Sequence, residues 1–156
     1  MHTIDDRQEV AFSQIEQENS ELVDALVDGV RQYNIDKLGK ETSQPLTIVA
    51  HDQAGKLIGG VHGRTIYKNF LIHVLWVDDN RRGAGLGRQL MIQAEQLAKA
   101  RGCLQAQVDT LDIQAPDFYR KLGFNLAGQV PAFEGSPARY FMVKRYDTST
   151  FKGDDT

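Results

Sequence analysis

The stretch "WVDDNRRGAGLGRQLM", residues 76–91, decides the fold, because it joins an apolar run to a helix-forming run through three glycines. Gly83, Gly85 and Gly87 occupy every second position directly after a pair of arginines. Glycine at such a junction serves either a backbone with φ > 0 or the close approach of another group to the backbone. We therefore expect a strand before the glycines, a helix after them, and a ligand at the loop between them.

Three kinds of ligand bind strand–loop–helix units of this type, and the residues around the glycines distinguish them. A nucleoside triphosphate site requires G-x-x-x-x-G-K-[ST], and neither Lys-Ser nor Lys-Thr follows here. A dinucleotide fingerprint that starts at Gly83 requires glycine at position 88, where this chain has Arg88. The third ligand is the pyrophosphate of coenzyme A, bound by backbone N–H groups that a first helical turn leaves without partners. Arg81 and Arg82 would add positive charge for that anion.

Two motifs in the chain resemble the signatures of the GNAT acetyltransferase superfamily. "RRGAGLG" resembles its R/Q-x-x-G-x-G/A motif, and "APDFYRKLGF" resembles its second signature, A-x-x-x-Y-x-x-x-G-F. The matching residues are Arg82, Gly85, Gly87, Ala115, Tyr119, Gly123 and Phe124. The motifs occur in the expected order, and one predicted helix and one predicted strand separate them. The resemblance implies a GNAT fold that uses acetyl-CoA as cosubstrate.

The resemblance also implies which residues bind acetyl-CoA. The glycine loop and first helical turn would hold the pyrophosphate, and backbone groups at the end of the fourth strand would hold the pantetheine arm. Many members have asparagine where this chain has Asp112, and Gln114 is our candidate to replace its contact with that arm. The implied set is Trp76, Val77, Arg82, Gly83, Ala84, Gly85, Leu86, Gly87, Arg88 and Gln114.

Acetyl transfer from a thioester to an amine requires a neutral amine, a donor to the developing oxyanion and a proton for the leaving thiolate. By resemblance, a backbone N–H near Val77 meets the thioester carbonyl and Tyr119 protonates the thiolate. A phenol suits that role, because the pKa of a phenol is similar to the pKa of a thiol. The alternative is that Tyr119, beside Phe118, is a core aromatic. Its spacing to Gly123 and Phe124 favours the catalytic role.

The group that accepts the amine proton is open between several candidates. His73 lies on the predicted fourth strand, and two-residue alternation places it on one face with Leu75 and Val77. A histidine can serve as the base near neutral pH, although this position also suits a partly buried structural histidine. A carboxylate or a water molecule is the alternative base. Asp109, at the end of the fifth strand, is our candidate for attracting a cationic amine.

The remaining elements follow from hydrophobic periodicity and turn residues. They predict a mixed α/β fold, the GNAT fold, with a central sheet of six to seven strands flanked by helices and with splayed, parallel fourth and fifth strands. We expect one domain over residues 1–156. The predicted segments are a leading strand (3–12), a helix (19–39) with Ser20 as N-cap, three strands (45–77), a helix (84–102), a strand (103–110), a short helix (115–124) and two strands (124–130 and 138–146).

Composition and charge limit the classes of partner that the protein could bind. The 156 residues carry a net charge of −3, which argues against nucleic acid or an anionic membrane as partner. A single cysteine, Cys103, fits a cytoplasmic protein, and we interpret it as a core residue rather than a nucleophile. The spacing of His51, His62 and His73 suggests no metal site.

The acceptor itself is not encoded in a motif. Short loops favour the amine of a small molecule over that of a protein or peptide, and the resemblance allows a homodimer. The alternative function, from another class, is a regulatory domain that binds acyl-CoA without turnover.

Overall fold

The computed structural model describes residues 9–146. The described residues fall into two compact units, which divide between Lys40 and Glu41. Residues 3–8 of the predicted leading strand lie outside the described residues, and residues 9–12 form no strand. The single domain over residues 1–156 stays a prediction.

The first unit contains helix α1 (Ser20–Leu38). The Asn19 side chain, not Ser20, caps this helix, because Asn19 Oδ1 accepts a hydrogen bond of 3.1 Å from the Leu22 N–H. Amide and hydroxyl side chains cap helices about equally well, so two adjacent candidates are not separated by residue type. The helix ends at Gly39, as predicted, where the Gly39 N–H donates to the Ile35 carbonyl over 2.9 Å.

The described part of the second unit consists of β1 (Gln44–His51), β2 (Leu57–Ile66), β3 (Asn69–Val77), a 3₁₀ turn (Asp79–Arg81), α2 (Leu86–Ala100), β4 (Gln105–Leu111), α3 (Pro116–Lys121), β5 (Asn125–Val130) and β6 (Arg139–Arg145). The strands form a six-stranded mixed sheet in the order β1-β2-β3-β4-β6-β5. Strands β3 and β4 are parallel, and all other neighbours are antiparallel. The predicted mixed α/β fold with a six-stranded sheet flanked by helices is confirmed.

The core of this unit lies between α2 and strands β1–β3. Helix α2 presents one apolar stripe, as its 3.6-residue periodicity predicts, and the buried residues of that stripe are Leu90, Met91, Ala94 and Ala98. Cys103, which follows α2, is 5% exposed and belongs to the same core, as expected. On the strands, Leu46, Val61, Phe70 and Ile72 belong to the same core, and Val108 and Met142 extend it onto β4 and β6.

A β-bulge interrupts β3 at His73. His62 on β2 is opposite Val74, and the next residue, Gly63, is opposite Ile72, so that His73 is an extra residue without a partner on β2. A Cβ atom on Gly63 would overlap the backbone of β3 at this point. The bulge therefore requires glycine on the opposite strand.

The bulge changes which side chains face the core. Before it, Phe70 and Ile72 are buried; after it, Leu75 and Val77 pack against the same core. His73 is exposed and does not share a face with Leu75 and Val77. Our prediction from strict alternation was wrong here, because an extra residue shifts the two-residue period by one.

Strands β3 and β4 separate immediately after the bulge begins. Their parallel pairing runs from Asn69 opposite Gln105 to Ile72 opposite Val108, whereas β3 continues to Val77. The leading strand that the sequence predicts at residues 3–12 is not among the described elements. With that strand counted, β3 and β4 correspond to the predicted fourth and fifth strands. Their splayed arrangement is as predicted. It leaves the part of β3 that follows Ile72 without a hydrogen-bonded neighbour on the side of β4.

Candidate active site

A cleft of about 970 Å³ lies where β3 and β4 separate. Its walls are the end of β3, the end of β4, the glycine loop with the first turn of α2, and α3. The cleft brings together nearly all predicted site residues: His73, Trp76, Val77, Arg82, Gly83, Gly85, Leu86, Gly87, Arg88, Asp109, Gln114 and Tyr119. Ala84 is the exception, because it is not among the residues that line the cleft.

Helix α2 begins at the cleft with free backbone donors. Gly85 is its N-cap residue, has a left-handed backbone (φ +86°) and offers no side chain to cap the helix. The Gly85 carbonyl accepts the first α-helical bond, from the Gln89 N–H at 3.0 Å. The N–H groups of Leu86, Gly87 and Arg88 therefore lack an acceptor within the helix, and the helix dipole favours an anion beside them.

Gly87 has a packing role as well. A Cβ atom there would lie 3.3 Å from Phe118 Cζ, so glycine allows the first turn of α2 to approach α3 closely. Gly85 and Gly87 are thus needed for the backbone conformation and the packing of α2, in addition to the predicted access for a ligand.

Arg82, the second of the two arginines before the glycines, holds the loop in shape. Arg82 Nε donates to the Val77 carbonyl over 3.2 Å, and Arg82 Nη1 lies 2.8 Å from a carboxylate oxygen of Asp79. These contacts tie the loop to the end of β3. Positive charge also reaches the cleft from Arg88 and from Lys121 on α3. Lys121 was missed by the sequence analysis, because it occupies a variable position of the second motif.

Tyr119 lies both in the core and at the cleft, so its position is compatible with either of the two roles that the sequence left open. It is 7% exposed and belongs to the core, where its ring makes edge-to-face contacts with Phe118 (5.2 Å between centroids) and Phe124 (5.6 Å). It also lines the cleft. Burial, and to a lesser degree the negative charge of Asp109, raises the pKa of Tyr119 to about 12. The phenol is therefore protonated at neutral pH and can act as a proton donor.

Gln114 closes the turn after β4. Its Oε1 accepts hydrogen bonds from the Leu111 N–H (2.8 Å) and the Thr110 hydroxyl (3.2 Å). The amide nitrogen of Gln114 is the group that remains for a ligand. Asp112 does not line the cleft, and its N–H donates to the Ala138 carbonyl over 3.0 Å.

His73 and Asp109 lie at the point where β3 and β4 begin to separate, which we call the opening of the cleft. Each is the residue that follows the last β3–β4 pair, Ile72 opposite Val108, and both line the cleft. The Asp109 carboxylate forms an ion pair with Arg139 on β6. Any cationic amine attracted to Asp109 therefore competes with Arg139.

Other candidate chemistry finds no support in the part of the chain that the structure describes. Burial raises the pKa of the Cys103 thiol, which keeps it protonated. No three or more His, Cys, Asp or Glu side chains within residues 9–146 are grouped to hold a metal ion. No helix in that range is long and apolar enough to cross a membrane.

Comparison with known proteins identifies the family of the chain. The model of the acetyltransferase (GNAT) family matches residues 7–124, and the chain belongs to this family. Blasticidin-S acetyltransferase of Streptomyces morookaense is 37% identical over 106 residues, which cover 65% of this chain and 78% of that protein. The crystal structure of an acetyltransferase from Bacillus cereus has a TM-score of 0.74 at 32% identity, and the match covers 85% of this chain and 97% of that one.

A more distant structure, from Bacillus anthracis, was solved in complex with acetyl coenzyme A. Its TM-score is 0.59 at 21% identity, with 72% of this chain and 68% of that one covered, which shows the fold alone. GNAT acetyltransferases use acetyl-CoA. The resemblance noted in the two sequence motifs is confirmed.

Proposed function

We propose that the protein is an N-acetyltransferase that transfers the acetyl group of acetyl-CoA to a primary amine of a small molecule, by direct attack in a ternary complex. The observation that carries the proposal is the separation of β3 and β4 after Ile72 and Val108. It opens a cleft that has the free N–H groups of α2 on one wall and Tyr119 on another. The similarity to blasticidin-S acetyltransferase supports a small-molecule acceptor.

The residues of the cleft fit acetyl-CoA. The uncapped first turn of α2, with Arg88 and Lys121 beside the same cleft, suits a pyrophosphate. The edge of β3 at Trp76 and Val77, which β4 leaves unpaired, suits an extended pantetheine arm that adds to the sheet as a strand would. When bound, acetyl-CoA would supply the thioester whose carbonyl carbon the amine attacks.

Three groups of this chain would then assist the transfer. A backbone N–H near Val77 donates to the thioester carbonyl oxygen. His73, directly or through a water molecule, accepts a proton from the attacking amine. The Tyr119 hydroxyl donates its proton to the departing thiolate of coenzyme A. The bond that forms is the amide C–N bond, and the bond that breaks is the thioester C–S bond.

The contact that we propose for the acceptor amine is with Asp109. Asp109 would attract a cationic amine to the opening of the cleft, in exchange for its contact with Arg139. The cytoplasmic location and the homodimer stay predictions.

Thiol release from acetyl-CoA across a panel of amines tests the function. The panel contains blasticidin S, a polyamine, an aminoglycoside and a basic peptide with a free N-terminus. Turnover with a small amine supports the proposal. Turnover with the peptide alone would instead identify a peptide N-acetyltransferase, and acetyl-CoA binding without turnover on any amine would favour a non-catalytic acyl-CoA-binding domain.

Gly85→Val is expected to weaken acetyl-CoA binding at least tenfold, about 1.4 kcal/mol. A branched side chain both strains the left-handed backbone at the start of α2 and occupies the approach to its N–H groups. Calorimetric titration of the folded variant measures the change.

Gly102→Val is the matched control for Gly85→Val. Gly102 also has a positive φ (+88°) and open space around its Cβ position, but it follows the opposite end of α2. It should lower thermal stability to a similar degree and leave acetyl-CoA affinity unchanged. Equal affinities in all three proteins would exclude the loop as the acetyl-CoA site.

His73→Ala is expected to lower kcat/KM about tenfold or more below about pH 8 and less at higher pH. At higher pH a growing fraction of the free amine is already neutral, so the base matters less. The pH–rate profile and the melting temperature are measured on the same variant. A stable variant with the profile of the parent would leave water or a carboxylate such as Asp109 as the base.

A further inference from the structure

The bulge leaves the His73 side chain without the usual restraints of a strand residue. His73 has no paired residue on β2 and is exposed, so neither strand register nor the core fixes its ring. A base acts efficiently only if its nitrogen is held close to the proton that it accepts. Some other contact must therefore orient this ring.

A polar row across β1, β2 and β3 provides that contact. Thr47 on β1 is directly opposite His62 on β2, and Thr47 Oγ1 lies 2.7 Å from His62 Nδ1, within hydrogen-bond distance. The His62 ring in turn packs edge-to-face against the His73 ring, with 5.9 Å between centroids and 68° between planes. The Thr47 hydroxyl thus holds the His62 ring, and the His62 ring limits the movement of the His73 ring.

We propose that His62 is a positioning residue for His73, held in place by Thr47, and that it keeps the His73 ring at the opening of the cleft. The inference rests on the proposed role of His73 in acetyl transfer. His62 itself is not among the residues that line the cleft, so it acts through His73 rather than on the substrates.

A double-mutant cycle separates this role from a purely structural one. His62→Ala is expected to lower kcat by about tenfold, because a loosened base loses part of its alignment. The KM for acetyl-CoA should not change. In a His73→Ala background, the same substitution should have almost no further effect on kcat. A contact that merely stabilises the β1–β2 pair would cost the same factor in both backgrounds, and that result would overturn the proposal.

Milder substitutions keep the test informative if His62→Ala does not fold. His62→Phe preserves an aromatic edge against His73 but cannot bond to Thr47, and Thr47→Val removes only the hydroxyl. Each should lower kcat less than His62→Ala does, by about threefold. His51→Ala removes an exposed histidine of β1 as the matched control and should retain the parent rate. Parent rates in all of these variants would contradict the proposal.

Nuclear magnetic resonance gives a readout that does not depend on activity. We expect an Overhauser contact between the His62 and His73 rings in the parent protein, weakened in Thr47→Val. If no amine is acetylated but this contact is present and depends on Thr47, the proposed function fails while the ring arrangement stands. If the contact is absent in an active enzyme, the positioning role fails and the proposed function stands.

Discussion

Tyr119→Phe is expected to lower kcat by about 10²–10⁴-fold while the Kd for acetyl-CoA stays nearly unchanged. The substitution removes one hydroxyl and preserves the ring that packs between Phe118 and Phe124. Because burial raises the Tyr119 pKa to about 12, the parent phenol stays protonated through pH 10. Its ionisation should therefore cause no fall in rate across the ordinary assay range, and the deficit of the variant should persist throughout that range.

Steady-state rates with the true acceptor, together with calorimetric titration of acetyl-CoA, test this expectation. Tyr146→Phe is the matched control, since Tyr146 is another buried tyrosine whose pKa burial raises, but it lies outside the cleft. It should turn over like the parent. If Tyr119→Phe also turns over like the parent, a water molecule or another residue protonates the thiolate.

Gly63→Ala is expected to destabilise the protein by about 3 kcal/mol or more. The added Cβ atom would overlap the Leu71 carbonyl oxygen and lie 2.8 Å from Phe70 Cε1. The backbone oxygen cannot move aside as a flexible side chain could, so the two strands must separate or change register. Because Gly63 is opposite Ile72, at the point where β3 and β4 part, acetyl transfer should fall as well.

Chemical denaturation and the rate of thiol release measure the two effects of Gly63→Ala. Gly128→Ala on β5 is the control, because a Cβ atom there meets nothing within 4 Å and its backbone φ is not in the left-handed region. It should change the unfolding free energy by less than about 1 kcal/mol. A Gly63→Ala protein as stable and active as the parent would show that the bulge does not depend on this glycine.

Much of the fold could be predicted from local sequence patterns. Turn residues and apolar periodicity located the strands within residues 45–77 and the helix over residues 84–102, because those signals act over a few neighbouring residues. The two motifs then placed Gly85 and Tyr119 at one site, and the structure brings both to the same cleft.

The bulge at His73 could not be predicted in the same way. It depends on the register between two strands and on a close contact of Gly63 with β3, neither of which alternation along β3 alone reveals. A glycine inside a strand, such as Gly63, indicates an irregularity, but not which residue of the neighbouring strand is displaced. The contact of His62 with His73 follows from that register and was missed for the same reason.

Contacts within the loop and the turn after β4 were also beyond the sequence. Arg82 and Gln114 were expected to face a ligand, yet each makes hydrogen bonds within the chain, to Val77 and to Leu111 respectively. A residue type shows what a side chain can bond to, whereas three-dimensional proximity decides which partner it finds.

A crystal structure of the protein with acetyl-CoA tests the central claim most directly. The account predicts the pyrophosphate within about 3 Å of N–H groups in residues 85–88, the pantetheine arm along Trp76 and Val77, and the thioester sulfur beside the Tyr119 hydroxyl. Acetyl-CoA bound elsewhere, with the cleft between β3 and β4 occupied only by solvent, would contradict it.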